Sequence, residues 1–148
     1  MTLALRAAEA SDCHLFYDFV NRPDSLANKR VTRQPIPWEE HKAWFAARLA
    51  DAGCLMWVIV MDGDPIGQVR LTSGPEGWEI DIYVAEQQRR AGVAQTAIAR
   101  AVELLHGKHA HAKVIARVLP QNQASCRLFE CAGFRCARQD VDHFVYTV

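Results

Sequence analysis

The chain has 148 residues, with 17 basic side chains against 17 acidic ones, and half of its residues are hydrophobic. A neutral balance excludes the broad basic footprint of a nucleic-acid-binding or anionic-membrane protein, while leaving room for a local basic pocket. A chain of this length is expected to fold as one domain and to bury roughly 70% of its unfolded surface without staples.

The five cysteines, Cys13, Cys54, Cys126, Cys131 and Cys136, are an odd number and show no paired metal spacing. Nothing before the first apolar segment reads as a signal peptide. No apolar run approaches the roughly 20 residues of a membrane span. A cytoplasmic protein with reduced thiols is the expectation.

In chain order, Thr2 to Arg6 reads as a short strand and Asp12 to Asn21 as a helix carrying Leu15, Phe16, Phe19 and Val20 at helical spacing. Asn21-Arg22-Pro23-Asp24 breaks that helix, and Ser25 to Ile36 reads as a polar, basic loop with Lys29, Arg30 and Arg33 and room for one helical turn. Pro37 opens a second helix, with Glu39 and Glu40 in its first turn, an apolar face of Trp38, His41, Trp44, Phe45 and Leu49, and Gly53 as its stop. Cys54 to Met61 is a continuous apolar run, as a strand covered on both faces requires. Asp62-Gly63 is a hairpin turn, after which Gly67, Val69 and Leu71 alternate with Gln68, Arg70 and Thr72.

A further turn, Ser73 to Gly77, leads into the stretch around which the chain is organised. Trp78 to Val84 is a strand, followed by Ala-Glu-Gln-Gln-Arg-Arg-Ala-Gly-Val-Ala and then an apolar-periodic helix from about Gly92 to Leu105. Its stripe is Ala97, Ile98, Ala101, Val102, Leu104 and Leu105. The first-turn N–H groups of a helix lack intrahelical partners and, with the helix dipole, form an anion site. Arg89 and Arg90 add charge there, while Gly92 and Ala94 leave the backbone accessible. The expectation is a phosphate or pyrophosphate seat. It is neither a dinucleotide Gly-x-Gly-x-x-Gly turn nor a nucleoside-triphosphate loop, whose defining residues are absent.

Downstream, Lys113 to Leu119 is β-rich, and Pro120 stops it. Gln121 to Ala132 is a helix on which Asn122, Ser125 and Phe129 share a face, with Gly133 as its cap. Phe134 to Arg138 and His143 to Val148 close the chain as paired strands. Hairpin-linked strands followed by strand–helix–strand–helix give an α/β domain around a mixed sheet. His106, His109 and His111 fall in an expected loop after the long helix, but without cysteine or acidic partners at ligand spacing no metal is expected.

Arg89-x-x-Gly92-x-Ala94, preceded by a strand ending in Val84, and Asn122-x-x-Ser125-x-x-x-Phe129 leading to Gly133-Phe134, occur in an order and separation that resemble the GNAT superfamily of acyl-CoA-dependent N-acetyltransferases. The similarity runs from Leu5-Arg6 to Gly133-Phe134. It implies a single N-acetyltransferase domain over residues 1–148. The fold implied is a mixed, mostly antiparallel sheet of six to seven strands with about four helices. A cleft is implied between the strands ending near Val84 and Leu119.

Acetyl-CoA is then the co-substrate. Ile82, Tyr83 and Val84 would pair with its pantetheine arm, and Arg89, Arg90, Ala91, Gly92, Val93, Ala94 and Gln95 would seat its pyrophosphate. Asn122, Ser125 and Phe129 would flank the arm near the thioester. The implied reaction is direct attack of a primary amine, which needs a base to remove its proton and backbone donors, at Val84, for the oxyanion. Glu79 and Asp81 share one face of their strand, and Glu79, five residues before Val84, is the first choice of base, with Asp81 second.

Many members carry tyrosine where this chain has Phe129, so proton delivery to the leaving thiolate falls to solvent, with Tyr83, Ser125 and Cys126 as alternatives. Asn21-Arg22-Pro23-Asp24 and Pro35 to Phe45 partly resemble a subgroup that acylates nucleotide-linked amino sugars. On that resemblance Asn21, Arg22, Arg30 and His41 line the acceptor pocket, with Arg22, Arg30 and Arg33 toward a diphosphate. The partner is thus a small-molecule amine, with no nucleic acid and no membrane; a homodimer is compatible with the superfamily. Two alternatives stay open from the residues alone: a non-catalytic acyl-CoA-binding module, and an acetyltransferase of protein N-termini or lysines.

Overall fold

The computed structural model describes residues 2–27, 34–89 and 92–148. The strands are β1 (Leu3–Ala7), β2 (Cys54–Met61), β3 (Asp64–Gly74), β4 (Gly77–Val84), β5 (Val114–Val118), β6 (Arg135–Gln139) and β7 (Phe144–Thr147). The helices are α1 (Cys13–Val20), α2 (Pro23–Ala27), α3 (Trp38–Ala50), α4 (Val93–Lys108) and α5 (Gln123–Cys131). One seven-stranded sheet runs β1-β2-β3-β4-β5-β7-β6, antiparallel throughout except for β4 beside β5.

The turn residues act as their chemistry demands. Asp62 and Gly63 both take positive φ, 51° and 88°, the twist that joins β2 to β3 in two residues. Gly133 follows α5 at φ 93°, and Asn122 caps that helix by accepting the Ser125 N–H at 3.2 Å. Strand alternation then divides the core. Trp57, Ile59, Val69, Leu71, Trp78, Ile80 and Val84 face one way, packing with Val93, Ala97, Ile98, Ala101 and Leu105 of α4 and with Phe129 of α5. Cys54, Met56 and Val58 of β2 face the other way, against Phe16 of α1 and Phe45 of α3. Each fully buried Val, Leu, Ile or Phe among them contributes about 1.5–3 kcal/mol.

Four local expectations are corrected. Gly53 does not cap α3: the helix ends at Ala50, and the Asp51 carboxylate instead accepts the Gly53 N–H at 2.8 Å. Pro23 and Asp24, expected in the break after the first helix, already belong to α2, which runs to Ala27 as the helical turn that the following stretch allowed for. Helix α4 runs past Leu105 to Lys108, so His106 is helical, bonded to the Ala112 carbonyl, rather than in the following loop. Leu104, placed on the apolar stripe, is 45% exposed, because the buried stripe follows Ala97, Ala101 and Leu105. Among the described residues no helix is long and apolar enough to cross a membrane.

Candidate active site

The site begins where β4 and β5 part. Their parallel pairing covers only Trp78 with Val114 and Glu79 with Ile115. Beyond that point β5 continues to pair with β7 through Val118, while Ile80 to Val84 stay paired only to β3. The divergence opens a cleft of about 300 Å³. Its walls are Ile80 to Val84 on one side, Arg117 to Leu119 on the other, and Asn122, Ser125 and Phe129 from the start and middle of α5. Ala94 and Arg89 close the end nearest α4, and Asp24 and Ser25 come from α2.

Gly67 sets the shape of the β4 edge. It lies opposite Val84, and a Cβ there would stand 2.1 Å from the Tyr83 carbonyl oxygen and 3.1 Å from the Val84 Cα. Only glycine permits that approach of two backbones. Gly67→Ala is therefore expected to push β4 outward at Tyr83–Val84 and to cost about 1–3 kcal/mol, measured as a lower midpoint of denaturant unfolding.

At the other end, Gly92 precedes α4 with φ 72°, and its carbonyl accepts the first helical hydrogen bond, from Thr96, at 2.9 Å. The first-turn N–H groups of α4 have no partners within the helix, and Ala94 of that turn lines the cleft. Arg89 reaches back from this turn. Its Nε donates to the Val84 carbonyl at 2.8 Å, its guanidinium pairs with Asp24, and it lies 5.5 Å over the Tyr83 ring. The Tyr83 hydroxyl also donates to Asp24, at 3.2 Å. Burial alone would raise the Asp24 carboxyl, but the bonds from Arg89 and Tyr83 outweigh it and hold it below the usual carboxylate value. Burial, then the Asp24 charge, pushes the Tyr83 hydroxyl up, which makes it a poor proton donor at neutral pH.

The two candidate bases separate. Asp81 lines the cleft, receives the Gln68 amide at 3.1 Å and stands 3.9 Å from Arg70. Glu79 lies outside the cleft wall and is tied to Arg117, which also binds Glu76 at 2.7 Å. Position thus sets the two acids apart: strand alternation placed both on one face but carried no information on the arginine brought to Glu79 by β5.

The acceptor-side residues scatter. His41 is 2% exposed between α1 and α3, with its Nε2 bonded to the Cys13 carbonyl at 3.0 Å, so it packs inside rather than on the cleft wall. Asn21 spends its amide on the Ile36 backbone, accepting at 2.7 Å and donating at 3.1 Å. Arg22 lies 5.4 Å over Phe19. Arg30, Arg90 and Ala91 lie outside the described residues. Val93 is buried under α4, and the Gln95 side chain bonds the Cys131 carbonyl at 2.9 Å. Phe129 packs on Phe134 at 5.1 Å and presents no proton to the cleft it lines. Asp24, Gln68, Arg117 and Gly67 were not singled out in the sequence; an isolated glycine inside the alternating β3 pattern was the one available signal for Gly67. No cluster of metal-ligating side chains occurs among the described residues.

Burial at His41 has a measurable consequence. Desolvation lowers its pKa, with His14 adding and the Cys13 carbonyl opposing. The unfolded chain, with a histidine near the ordinary value of about 6.5, binds that proton more readily. Stability is expected to fall as pH drops below about 6.5. A lower melting temperature at pH 5.5 than at pH 7.5 checks this, and the difference should shrink in His41→Phe.

The β4–β5 pair splays beside the start of α4, an arrangement that an extended ligand carrying a diphosphate would fit. The profile of the family described as Acetyltransferase (GNAT) domain matches residues 2–135, and the chain belongs to that family of acetyltransferases, whose donor is acetyl-CoA. No curated protein matches the chain. Among solved structures, a domain from Methanocaldococcus jannaschii superposes with a TM-score of 0.86 at 19% identity, covering 99% of this chain and 97% of that one. The aminoglycoside acetyltransferase AAC(6')-Ib, in complex with coenzyme A, gives 0.82 at 21% identity, with coverage of 99% and 93%. The spermidine N-acetyltransferase of Vibrio cholerae, in complex with CoA and spermine, gives 0.84 at 20% identity, with coverage of 98% and 92%. At these identities the likeness is one of fold.

Proposed function

We propose that the protein transfers the acetyl group of acetyl-CoA to a primary amine of a small molecule, with Asp81 as the base. The observation that carries this reading is the cleft between β4 and β5, which joins a carboxylate on one wall to an anion-binding helix start at one end. The donor fits the residues present: Ile80 to Val84 form a strand edge without a β5 partner, and Gly92 holds the turn at which a diphosphate would sit. Bound acetyl-CoA supplies the reactive thioester. Arg89 would exchange Asp24 for the diphosphate and release the Val84 carbonyl, while Asp24 keeps its bond from the Tyr83 hydroxyl. Asp81 takes the proton that the attacking nitrogen loses as its bond to the carbonyl carbon forms and the carbon–sulfur bond breaks. The sulfur takes its proton from solvent, since Phe129 has none to give and the Tyr83 hydroxyl is spent on Asp24.

Relatives of this fold act on small amines, as the aminoglycoside and spermidine enzymes do by name. The narrower reading, a nucleotide-linked amino sugar, rests on Asn21 to Asp24 and Pro35 to Phe45 in the sequence alone, since Asn21, Arg22 and His41 engage Ile36, Phe19 and Cys13 rather than the cleft. Acetyl-CoA is expected to raise the melting temperature, by about 2.7 kcal/mol of added stability at one hundred times its Kd. No shift at millimolar acetyl-CoA would sink the proposal.

A further inference from the structure

Gln68 occupies β3 opposite Tyr83, two pairs along from Arg70 and Asp81, on the sheet face that carries Asp81. It is 7% exposed. Its Nε2 donates to Asp81 Oδ2 at 3.1 Å, while its Oε1 is buried with no hydrogen-bond partner. A glutamine amide has two orientations that exchange oxygen and nitrogen. The reversed one would turn the oxygen onto the Asp81 carboxylate, lone pair against negative charge. The adopted one leaves a buried acceptor unsatisfied, which is costly, and gains a charge-assisted bond, roughly twice as strong as a neutral one. The contact with Asp81 therefore dictates how this side chain sits. Arg70, itself held 5.0 Å over Trp44, approaches the same Oδ2 at 3.9 Å. Two donors from β3 thus converge on one oxygen of the cleft carboxylate.

We propose that Gln68 is a positioning residue for acetyl transfer: it fixes the Asp81 carboxylate against the cleft and sets its proton affinity. The inference rests on the reading of Asp81 as the base, and nothing in the sequence pattern or the family resemblance assigned Gln68 a role. Arg70 and Gln68 face Asp81 from β3, Glu79 and Tyr83 share its face of β4, and Asp24, Arg89 and Arg117 face it around the cleft. Against that fixed background a change at Gln68 acts on Asp81 directly. Its N–H stabilises the ionised carboxylate, so removing it raises the Asp81 midpoint. A glutamate in its place sets a second negative charge in contact and raises the midpoint further.

The test is a carboxyl-carbon NMR titration of the full chain labelled at aspartate, with Asp81→Asn identifying the Asp81 resonance. Gln68→Glu is expected to raise the Asp81 midpoint by about one pH unit or more, and Gln68→Met by a smaller step in the same direction. Thiol release with an amine that the wild type turns over should show a lower kcat in Gln68→Met, with the KM for acetyl-CoA unchanged. A midpoint that stays at its wild-type value in Gln68→Glu overturns the inference. If that variant does not fold, an unmoved midpoint in Gln68→Met overturns it. Wild-type turnover in Asp81→Asn would instead remove Asp81 as the base, while a shifted midpoint would leave the contact itself standing.

Discussion

Gly92→Glu abolishes the thermal shift produced by acetyl-CoA while leaving the fold in place. Two effects on folding oppose each other. A side chain at φ 72° is strained, by about 1–2 kcal/mol. A carboxylate at a helix N-terminus recovers about 0.3–1 kcal/mol from the dipole. No heavy atom lies within 4 Å of a Cβ built there, so no clash adds to the cost. Binding has no such compensation: the new charge occupies the N–H groups that a diphosphate would use and repels it. Differential scanning fluorimetry with and without acetyl-CoA reads both quantities. Gly92→Ala separates them, since it keeps the strain and omits the charge, and it should retain a shift.

Asp81→Asn lowers kcat by about 10² to 10⁴, the usual contribution of a positioned general base. The change is nearly isosteric, and the remaining amide oxygen still accepts the Gln68 N–H. The KM for acetyl-CoA should not move, because Ile82, Val84 and the Gly92 turn are untouched. The rate profile carries the sharper signature. Without its base the variant depends on amine already deprotonated in solution, so its rate should keep rising with pH where the wild type levels off. Glu79→Gln should be far milder, because Glu79 is committed to Arg117 outside the cleft. Thiol release across a pH series measures all three enzymes.

Residues with strong local physics were readable from the sequence. The apolar run Cys54–Met61 is β2 to the residue, Asp62-Gly63 makes the tight turn, and Gly92, Asn122 and Gly133 sit at the helix ends that their chemistry favours. The strand–turn–helix at Trp78 to Leu105 was legible because glycine and apolar periodicity reveal backbone geometry. What could not be read depends on pairing across the sheet. Glu79 and Asp81 are equivalent by alternation and differ because the β4–β5 register brings Arg117 to Glu79 while Gln68 and Arg70 of β3 reach Asp81. His41 sat correctly on the apolar face of α3, yet a buried histidine and a ligand-facing one look alike until the Cys13 carbonyl is placed beside it. Helix α2 has five residues, too few for a period to register, and it supplies Asp24 to Arg89 across 65 positions of chain. Gln68 read as the polar half of an alternating strand; its orphaned oxygen exists only in three dimensions.

The central claim is acetyl transfer to a small-molecule amine. Its most direct test is incubation with acetyl-CoA and a panel of amines that includes spermine, kanamycin and a nucleotide-linked amino sugar, followed by mass spectrometry of the acceptor and quantitation of free thiol. One N-acetylated acceptor, formed one-for-one with thiol and lost in Asp81→Asn, is the predicted result. Saturable binding of acetyl-CoA with no acceptor acetylated and no thiol released would contradict the claim.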